Sequence, residues 1–487
     1  MLKFITFAAI PSIPSMFKSK NRIFYNKKNS RKLVQDLWQI KKQIFFSVLI
    51  NLIISCGAHA QSTKDTVPSL NLDQCIAYGL QNQPGVLQSN IGITIAKKTN
   101  EINLSGWLPQ LNAGANFYHY LELPTALETD QANPNEALIP TKTGVYNTLT
   151  PELTATENIF SPGLLYAAKS AHLLVQQAMQ ANDSSKINVV ATISTAFYNL
   201  LNTMEQVNVL KADTAEFHKN LMDAYHQYKG GIVDKTDYEE AIITLNNAKA
   251  QLKQAVENVI PLYSSLKQQM GFPPEKEFNV SFDTAQMIKG IALDTTQQLQ
   301  YKNRIEYQML ETARSLQQQN MNYYRYSFLP TLSAFYSYNY EYENDNFSNL
   351  FTQGYPYSYI GASLTIPLFT GFARLENIQR AKLQGQIIDL NETNLKASIY
   401  SQYATALANY KSNVYDLFVL KQNTAMAKDV YGIVSLQYKQ GIVAYLNVIT
   451  AEDNLVSSEI NYLNSLFQVL LSKVDLEKAM GTISPSH

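Results

Sequence analysis

Two kinds of hydrophobic periodicity follow one another along this chain. The first recurs every three or four residues over unusually long segments, 163–231 and 371–441, neither of which contains a proline. Leu407, Tyr410 and Val414 illustrate the spacing, which is typical of one face of a packed helix. A helix of this length extends about 100 Å, whereas a mean globular helix has about 11–12 residues. Such helices need neighbours to cover their apolar faces, so the pattern predicts coiled-coil-like packing.

The second pattern alternates every two residues and predicts β-strands. From residue 331 the even-numbered positions are apolar or aromatic, and the odd-numbered positions are mainly polar. The even series consists of Leu332, Ala334, Tyr336, Tyr338, Tyr340 and Tyr342. With this segment, at about 331–342, three more are predicted as strands, at about 109–123, 145–160 and 357–369.

These four segments are interpreted as membrane strands. Alternating segments of about ten residues, with tyrosine gathered at one end, are typical of transmembrane barrels. The alternative is a half-buried strand of a soluble sheet, but four strands beside helices of about 100 Å leave no soluble sheet to pack them. Four strands cannot close a barrel, because the smallest barrels have about eight, so the chain is predicted to oligomerise.

The same order of features occurs twice, which predicts an internal direct repeat. The first copy is expected at 61–271, with long helices at 163–230 and 232–271, and the second at 272–487, with long helices at 371–440 and 442–481. The paired landmarks are Trp107–Leu111 with Phe328–Leu332, Ile159–Gly163 with Leu368–Gly371, Gln227–Val233 with Gln437–Val443, and Met270–Gly271 with Met480–Gly481.

Residues 1–60 are predicted to be a leader. Lys41 and Lys42 precede an apolar run at about 44–55, and Ala58–Ala60 provides a small-residue cleavage site. An apolar run of about twelve residues spans about 18 Å as a helix, which is too short for a hydrocarbon core of about 30 Å. The run is therefore interpreted as a signal peptide. Lipidation of Cys56 after cleavage in front of it is the alternative.

Charge separates the leader from the rest of the chain. There are 39 basic and 39 acidic residues, but ten of the basic ones and a single acidic one lie in the leader. The remainder therefore carries a net charge of about −9. An acidic body without a basic patch disfavours nucleic-acid binding.

Enzyme chemistry is not expected from this sequence. Its six histidines are scattered, and it contains neither a His-Glu-x-x-His motif nor a phosphate-binding glycine loop. Catalytic, cofactor-binding and metal-binding residues are accordingly predicted to be absent. Of the two cysteines, Cys75 lies on a helical pattern and is predicted to be buried rather than disulfide-bonded.

With these features in place, residues 70–481 resemble the TolC-like outer-membrane efflux protein family. The resemblance rests on the duplicated plan, the Leu-Pro before each first strand and the Tyr-x-x-Gly-Ile-Val turn before each last helix. It implies a mostly α protein with a transmembrane β part. In such proteins a long periplasmic helical barrel carries a trimeric outer-membrane barrel of twelve strands, four from each protomer.

The same resemblance implies a passive exit duct of a tripartite efflux or type I secretion system, gated at its periplasmic tip. Its partners would be two further copies of the chain, a periplasmic adaptor (membrane fusion) protein, an inner-membrane transporter and outer-membrane lipid, and it would use no cofactor. The loops 124–144 and 343–356 are expected to face the outside of the cell. The cargo is not specified, since the transporter that selects it is a separate chain.

The resemblance further implies that the turns at Gly231 and Gly441 form the tip and its pore constriction. The residues expected to approach the threefold axis are Thr236, Asp237, Tyr445, Asn447 and Thr450. The family often has aspartate at the last two positions and arginine at position 443, so acidic rings at 447 and 450 and an ionic latch are not expected here. Three copies of Asp237 would leave one modest negative ring that favours cations. Closure is expected from packing by Tyr445 and Leu446, and capping of the returning helix by Asp237 or Asn447 is a compatible role.

One alternative from another functional class stays open, and a second is disfavoured. A non-conducting trimeric structural or anchoring protein of the outer membrane would have the same pattern, and conductance would distinguish it. A diffusion porin is disfavoured, because porins have many more strands in each chain and no such helices.

Overall fold

The computed structural model describes residues 68–129, 138–282, 287–288, 291–293 and 297–485. The predicted leader, with its apolar run at 44–55 and Cys56, lies outside the described residues. Within them, seven α-helices have more than ten residues: α1 (Leu72–Asn82), α2 (Pro84–Leu104), α3 (Pro162–Lys229), α4 (Lys235–Met270), α5 (Ile305–Tyr326), α6 (Ala373–Lys439) and α7 (Tyr445–Met480). The strands are β1 (Ser69–Leu70), β2 (Gln110–His119), β3 (Thr125–Glu128), β4 (Ile139–Lys142), β5 (Asn147–Phe160), β6 (Asn279–Val280), β7 (Thr331–Asn344) and β8 (Gly354–Thr365).

Both halves of the chain contain the same order of elements. A helix, two strands of the main sheet, a long helix and a shorter helix occur first as α2, β2, β5, α3 and α4, and then as α5, β7, β8, α6 and α7. The long helices have 68 and 67 residues, and the last helices have 36 each. An additional hairpin, β3–β4, lies between the two sheet strands of the first half, which makes that half longer. Duplication of the sequence itself remains a prediction.

A left-handed glycine ends each long helix in the same way. Gly231 has φ 71° and Gly441 has φ 73°, a conformation that suits glycine. The N–H of the isoleucine that follows each glycine donates to a carbonyl five residues earlier, at 2.9 Å in both turns. This is the Schellman arrangement, which satisfies carbonyls that would otherwise remain unpaired at a helix end. The two turns reverse the chain at one end of the molecule.

The helices lie side by side in two tiers. In the tier next to the sheet the order is α2, α3, α5 and α6, and in the tier next to the turns it is α4, α3, α7 and α6. The long helices α3 and α6 therefore run through both tiers. The contact of α3 with α7, called the hairpin seam below, joins the α3–α4 hairpin to the α6–α7 hairpin. Amide side chains pair across it, with Asn202 Nδ2 at 2.9 Å from Asn464 Oδ1.

Two further glycines join the tiers end to end. Gly271, after α4, has φ +67°, and a Cβ there would lie 2.7 Å from the carbonyl oxygen of Asn82, just before α2. Gly481, after α7, has φ +71°, and its Cβ would lie 2.7 Å from the carbonyl oxygen of Asn303, just before α5. Only glycine fits both the backbone angle and the space. The shorter helices thus form two jointed columns, α4 with α2 and α7 with α5, beside two continuous helices.

A buried arginine secures the second joint. Arg304 Nη1 donates to the carbonyl oxygen of Ala479 at 3.0 Å, at the C-terminal end of α7, where a cation is favoured. Its Nε and Nη2 hold both carboxylate oxygens of Glu306, at 2.9 and 3.0 Å. Burial alone would raise the pKa of Glu306, but the hydrogen bonds and charge of Arg304 outweigh it and lower that pKa.

The main sheet has the antiparallel order β2, β5, β7, β8. Residues in register share a face, so its two faces can be compared row by row. One row contains Leu111, Ala155, Tyr336 and Ile360, and the next row, on the opposite face, contains Asn112, Thr154, Ser337 and Tyr359. On the inner strand β7, Tyr336 of the apolar row is 42% exposed and Ser337 of the polar row is 2% exposed, whereas the edge strands β2 and β8 are exposed on both faces. On β7 the apolar face is therefore the open one, and the opposite face is more polar.

The largest apolar core lies around the joints, where α1 packs on α3. It includes Cys75, which is fully buried as its helical position predicts, together with Ile193, Leu200 and Met270. None of the described helices is long and apolar enough to cross a membrane.

Candidate functional site

The four helices of the tier next to the turns meet where α3 turns into α4 and α6 turns into α7. An apolar group, called the turn cluster below, takes Ala224 from α3, Ala241 from α4, Tyr438 from α6, and Tyr445 and Val448 from α7. The valines two positions after each turn glycine pack at its edge. This cluster holds the two turns against each other within one protomer.

Asp237 links the first turn to the second. It lies in the first turn of α4, and its carboxylate faces the backbone N–H of Tyr445, the first residue of α7. Ala444, at the N-cap of α7, has no side chain that could accept from the free N–H groups at that end, so the nearby acceptor belongs to the other hairpin. Burial, followed by the charge of Asp234, raises the pKa of Asp237, and the backbone N–H of Tyr445 opposes that change. Asp237 is therefore placed against the start of α7.

Tyr445 differs from the expectation that it approaches the threefold axis. Its side chain is 1% exposed, and its ring lies 5.2 Å from that of Tyr438. A side chain enclosed by its own protomer does not face a lumen. Leu446, the next residue, is 61% exposed and is available for that position. Burial raises the pKa of Tyr438 to about 12, with nearby Asp237 and Asp223 adding to the effect.

The other expected constriction residues lie at the surface of the protomer. Thr236, Asn447 and Thr450 are exposed, and Asp237 is half-buried. The Thr450 hydroxyl donates to the Leu446 carbonyl within α7, at 2.9 Å. The structure thus brings Asp237 into contact with the start of α7 and leaves the other three side chains open towards whatever adjoins the protomer.

Sequence reasoning missed a buried acid near the turns. Glu452 is buried in α7, although such positions are normally apolar. The sequence does contain a signal for the burial of this residue. Tyr445, Val448 and Glu452 stand at i, i+3 and i+7 and so share one helix face. Once Tyr445 is placed inside, Glu452 must follow it.

Aromatic rings that the sequence analysis did not single out brace the first hairpin. Tyr228 and Tyr238 stack with ring centres 5.9 Å apart and planes 2° apart, and Tyr225 packs against Tyr238 at 5.5 Å. Two isoleucines just after the turn glycines, Ile232 and Ile442, remain exposed. Packing of these rings thus holds the first hairpin together at the tip.

In the described ranges no group of three or more histidine, cysteine, aspartate or glutamate residues is arranged to hold a metal ion. Charged side chains also lie around the turns: Lys235 pairs with Glu239 at 2.7 Å, and Lys439 on α6 lies 3.8 Å from Asp223 on α3.

Comparisons with known proteins match this architecture. Residues 298–482 match the family model described as Outer membrane efflux protein. The probable efflux pump outer membrane protein TtgC of Pseudomonas putida is 22% identical over 311 residues. That alignment covers 62% of this chain and 62% of TtgC, so it spans less than two thirds of that relative.

Two proteins of Vibrio cholerae are similar over more of their length. Outer membrane protein TolC is 20% identical over 441 residues, which are 90% of this chain and 96% of TolC. The solved structure of the outer membrane protein VceC aligns with a TM-score of 0.66 at 16% identity, covering 84% of this chain and 96% of VceC. The resemblance inferred from the sequence is confirmed by the family match of residues 298–482, and the chain has the fold of VceC.

Proposed function

We propose that this chain, which has the fold of outer-membrane efflux channels, is the exit duct of a tripartite efflux or type I secretion system. It lies in the outer membrane, and its helical part is in the periplasm. The duct is passive, and it uses neither a cofactor nor catalysis of its own.

The observation that carries the proposal is the open apolar face of the four-stranded sheet. Rows of apolar side chains cross all four strands on this face, with Leu111 67% and Ile360 81% exposed. Contiguous exposed apolar surface on this scale marks contact with lipid or another protein. Alternation of apolar and polar faces along strands is the pattern of a membrane barrel. The sheet continues directly into helices of about 100 Å, long enough to reach across much of a periplasm.

Three copies of the chain complete the barrel in this proposal. β2 and β8 each pair on one side only among the described strands, and an unpaired strand edge is not tolerated within a bilayer. Three protomers with four strands each would close a ring of twelve strands. Mass photometry of the detergent-purified protein should give three copies, and a stable monomer would contradict this arrangement.

The gate is proposed to lie at the helix turns. Thr236, Asp237, Asn447 and Thr450, with Leu446, would approach the threefold axis, and Tyr445 would support them from inside the protomer. Carboxylates about 6–8 Å apart in water repel by about 1 kcal/mol or less for each pair, so a ring of three Asp237 can stay ionised. The pore would then favour cations modestly.

The proposed partners are a periplasmic adaptor and an inner-membrane transporter. The relative TtgC is named as the outer membrane protein of an efflux pump. The same role here would leave the choice of cargo to the transporter, while the turn end of this chain would receive the adaptor.

Conductance tests the proposal directly. Purified trimer inserted into a planar lipid bilayer should give discrete conductance steps, and removal of the turn end, residues 214–247 and 425–457, should raise the open fraction. A trimer that inserts but never conducts, with or without the turns, would favour the anchoring protein instead.

A further inference from the structure

A buried carboxyl group lies where α3, α6 and α7 meet, about two helical turns along α7 from Tyr445 of the turn cluster. Glu452 is 3% exposed, and its Oε1 accepts a hydrogen bond from Asn220 Nδ2 at 2.7 Å. The hydroxyl of Tyr431 lies 3.4 Å from the same oxygen. Glu452 Oε2 has no hydrogen-bond partner among the described residues. An ionised carboxylate here would leave one oxygen buried and unsatisfied, so the neutral acid is favoured.

No basic side chain is among the groups that act on Glu452. The titratable groups that face Glu452 from the packed helices are Glu216 on α3, Tyr431 on α6, and Tyr445 and Asp453 on α7. Lys219, also on α3, pairs with Glu216 at the surface, at 3.3 Å. Burial raises the pKa of Glu452 to about 8, and the charges of Glu216 and Asp453 act in the same direction. The hydrogen bonds from Tyr431 and Asn220 oppose the shift without cancelling it.

This group of three residues also bridges the hairpin seam. Asn220 belongs to the α3–α4 hairpin, whereas Tyr431 and Glu452 belong to the α6–α7 hairpin. Asn220 Nδ2 lies 3.1 Å from the Tyr431 hydroxyl as well, so one amide holds both partners. Glu452 stands seven residues, about two helical turns, from Tyr445 in the turn cluster. A change in the charge of Glu452 therefore acts where the two hairpins are held together.

We propose that Glu452 binds a proton when the two hairpins are packed together, and that loss of this proton separates the hairpins at their turn end. The consequence for gating, a periplasmic end that opens more readily as the pH rises, rests on the proposed function. The proton site and the hairpin movement do not depend on it.

The direction follows from linkage. When the hairpins separate, Glu452 reaches water and returns to its ordinary pKa of 4.5, against about 8 when packed. Because the packed arrangement has the higher pKa, its extra stability is complete below pH 4.5 and is lost as the pH rises to about 8. Between about pH 6 and pH 9, the ratio of packed to separated hairpins should fall roughly tenfold to a hundredfold.

Spin-label distances measure the movement without requiring conduction. Nitroxides on cysteines that replace the exposed Ile232 and Ile442 report the separation of the two turns in the purified trimer. We expect the distance distribution to broaden and lengthen from pH 6 to pH 9. Glu452→Gln keeps the shape and the acceptor oxygen but cannot ionise, so it should hold the low-pH distribution throughout. Asp453→Asn, a neutralised carboxylate on the adjacent, exposed position, is the matched control and should retain the transition.

Infrared difference spectra of the same samples report the proton itself. A buried protonated carboxyl gives a carbonyl band that should disappear as the pH rises, and this band should be absent from Glu452→Gln. Tyr431→Phe removes a donor to the ionised carboxylate and should move both transitions to higher pH. A distance distribution that does not change with pH, or that changes equally in Glu452→Gln, would overturn the proposal. If the transitions occur but the trimer never conducts, only the proposed function fails.

Discussion

Asp237 and Tyr445 show how single residues connect the two hairpins at the turns. Asp237 belongs to the first hairpin, yet its carboxylate faces the first helix turn of the second. Tyr445 presents its backbone N–H to that carboxylate, while its ring packs in the turn cluster. Asp237 therefore acts through its half-buried carboxylate and Tyr445 through the apolar surface that its ring buries, so their substitutions should have different effects.

Replacement of Asp237 should separate its capping role from its charge. Asp237→Ala removes the acceptor and should lower stability by about 1 kcal/mol, the usual cost of a lost cap. Asp237→Asn keeps an acceptor oxygen and should lose about half of that or less. Both should lower cation selectivity, because either removes the negative ring. Thermal unfolding and reversal potentials in a salt gradient provide the measurements. Equal destabilisation by both variants would contradict capping, and unchanged selectivity would place Asp237 away from the pore.

Replacement of Tyr445 should loosen the turns. Tyr445→Ala empties a fully enclosed site and should cost about 3–5 kcal/mol. The turn cluster holds both hairpins, so the resting conductance of the closed channel should also rise. Tyr445→Phe keeps the ring against Tyr438 and should behave like the parent protein in both respects. A resting conductance that stays low in Tyr445→Ala, despite its lower unfolding temperature, would show that the cluster does not hold the gate.

At the scale of elements, glycines set where the helices end, and two of them form a matched pair. Gly441 and Gly481 have φ of 73° and 71°, but a Cβ at Gly441 would meet nothing within 4 Å. Gly441→Ala should therefore cost only the left-handed strain, about 1–2 kcal/mol. Gly481→Ala also drives a Cβ into the backbone at Asn303, which should add about 1–3 kcal/mol. Circular dichroism melts would test this, and equal losses would mean that the joint between α7 and α5 is not tightly packed.

The sequence predicted much of the secondary structure, because its signals are local. Long proline-free periodicity and the glycines at 231 and 441 mark the long helices, and alternation marks the sheet strands. The joint at Gly481 and the position of Asp237 against the start of α7 could not be predicted, since each brings together residues far apart in the chain. Tyr445 was misplaced because its nearness to the turn was weighed above its place on the buried helix face.

At the scale of the whole molecule, the sheet and the turns lie at opposite ends of the long helices. The two loops beyond the sheet are tied together, since the Tyr146 N–H donates to Asp345 Oδ1 at 3.2 Å. An epitope tag inserted beside Asn346, or beside Asn135 in a segment outside the described residues, should bind antibody on intact cells. A tag beside Lys235 should bind only after the outer membrane is permeabilised. The reverse labelling would mean that the barrel is inserted the other way.

The bridge of Asn220, Tyr431 and Glu452 also bears on symmetry. The two turn glycines are 210 positions apart. At the same separation, Asn220 corresponds to Val430, Tyr431 to Leu221 and Glu452 to Ile242, and all three of these counterparts are apolar. In a ring of three protomers, contacts of α3 with α7 inside each chain would alternate with contacts of α6 with α4 between chains. Six geometrically similar contacts would then divide into three that carry this buried carboxyl group and three that carry an apolar side chain in its place. The ring would be close to sixfold in shape but threefold in its response to the loss of this proton, because only the contacts inside each chain would then separate.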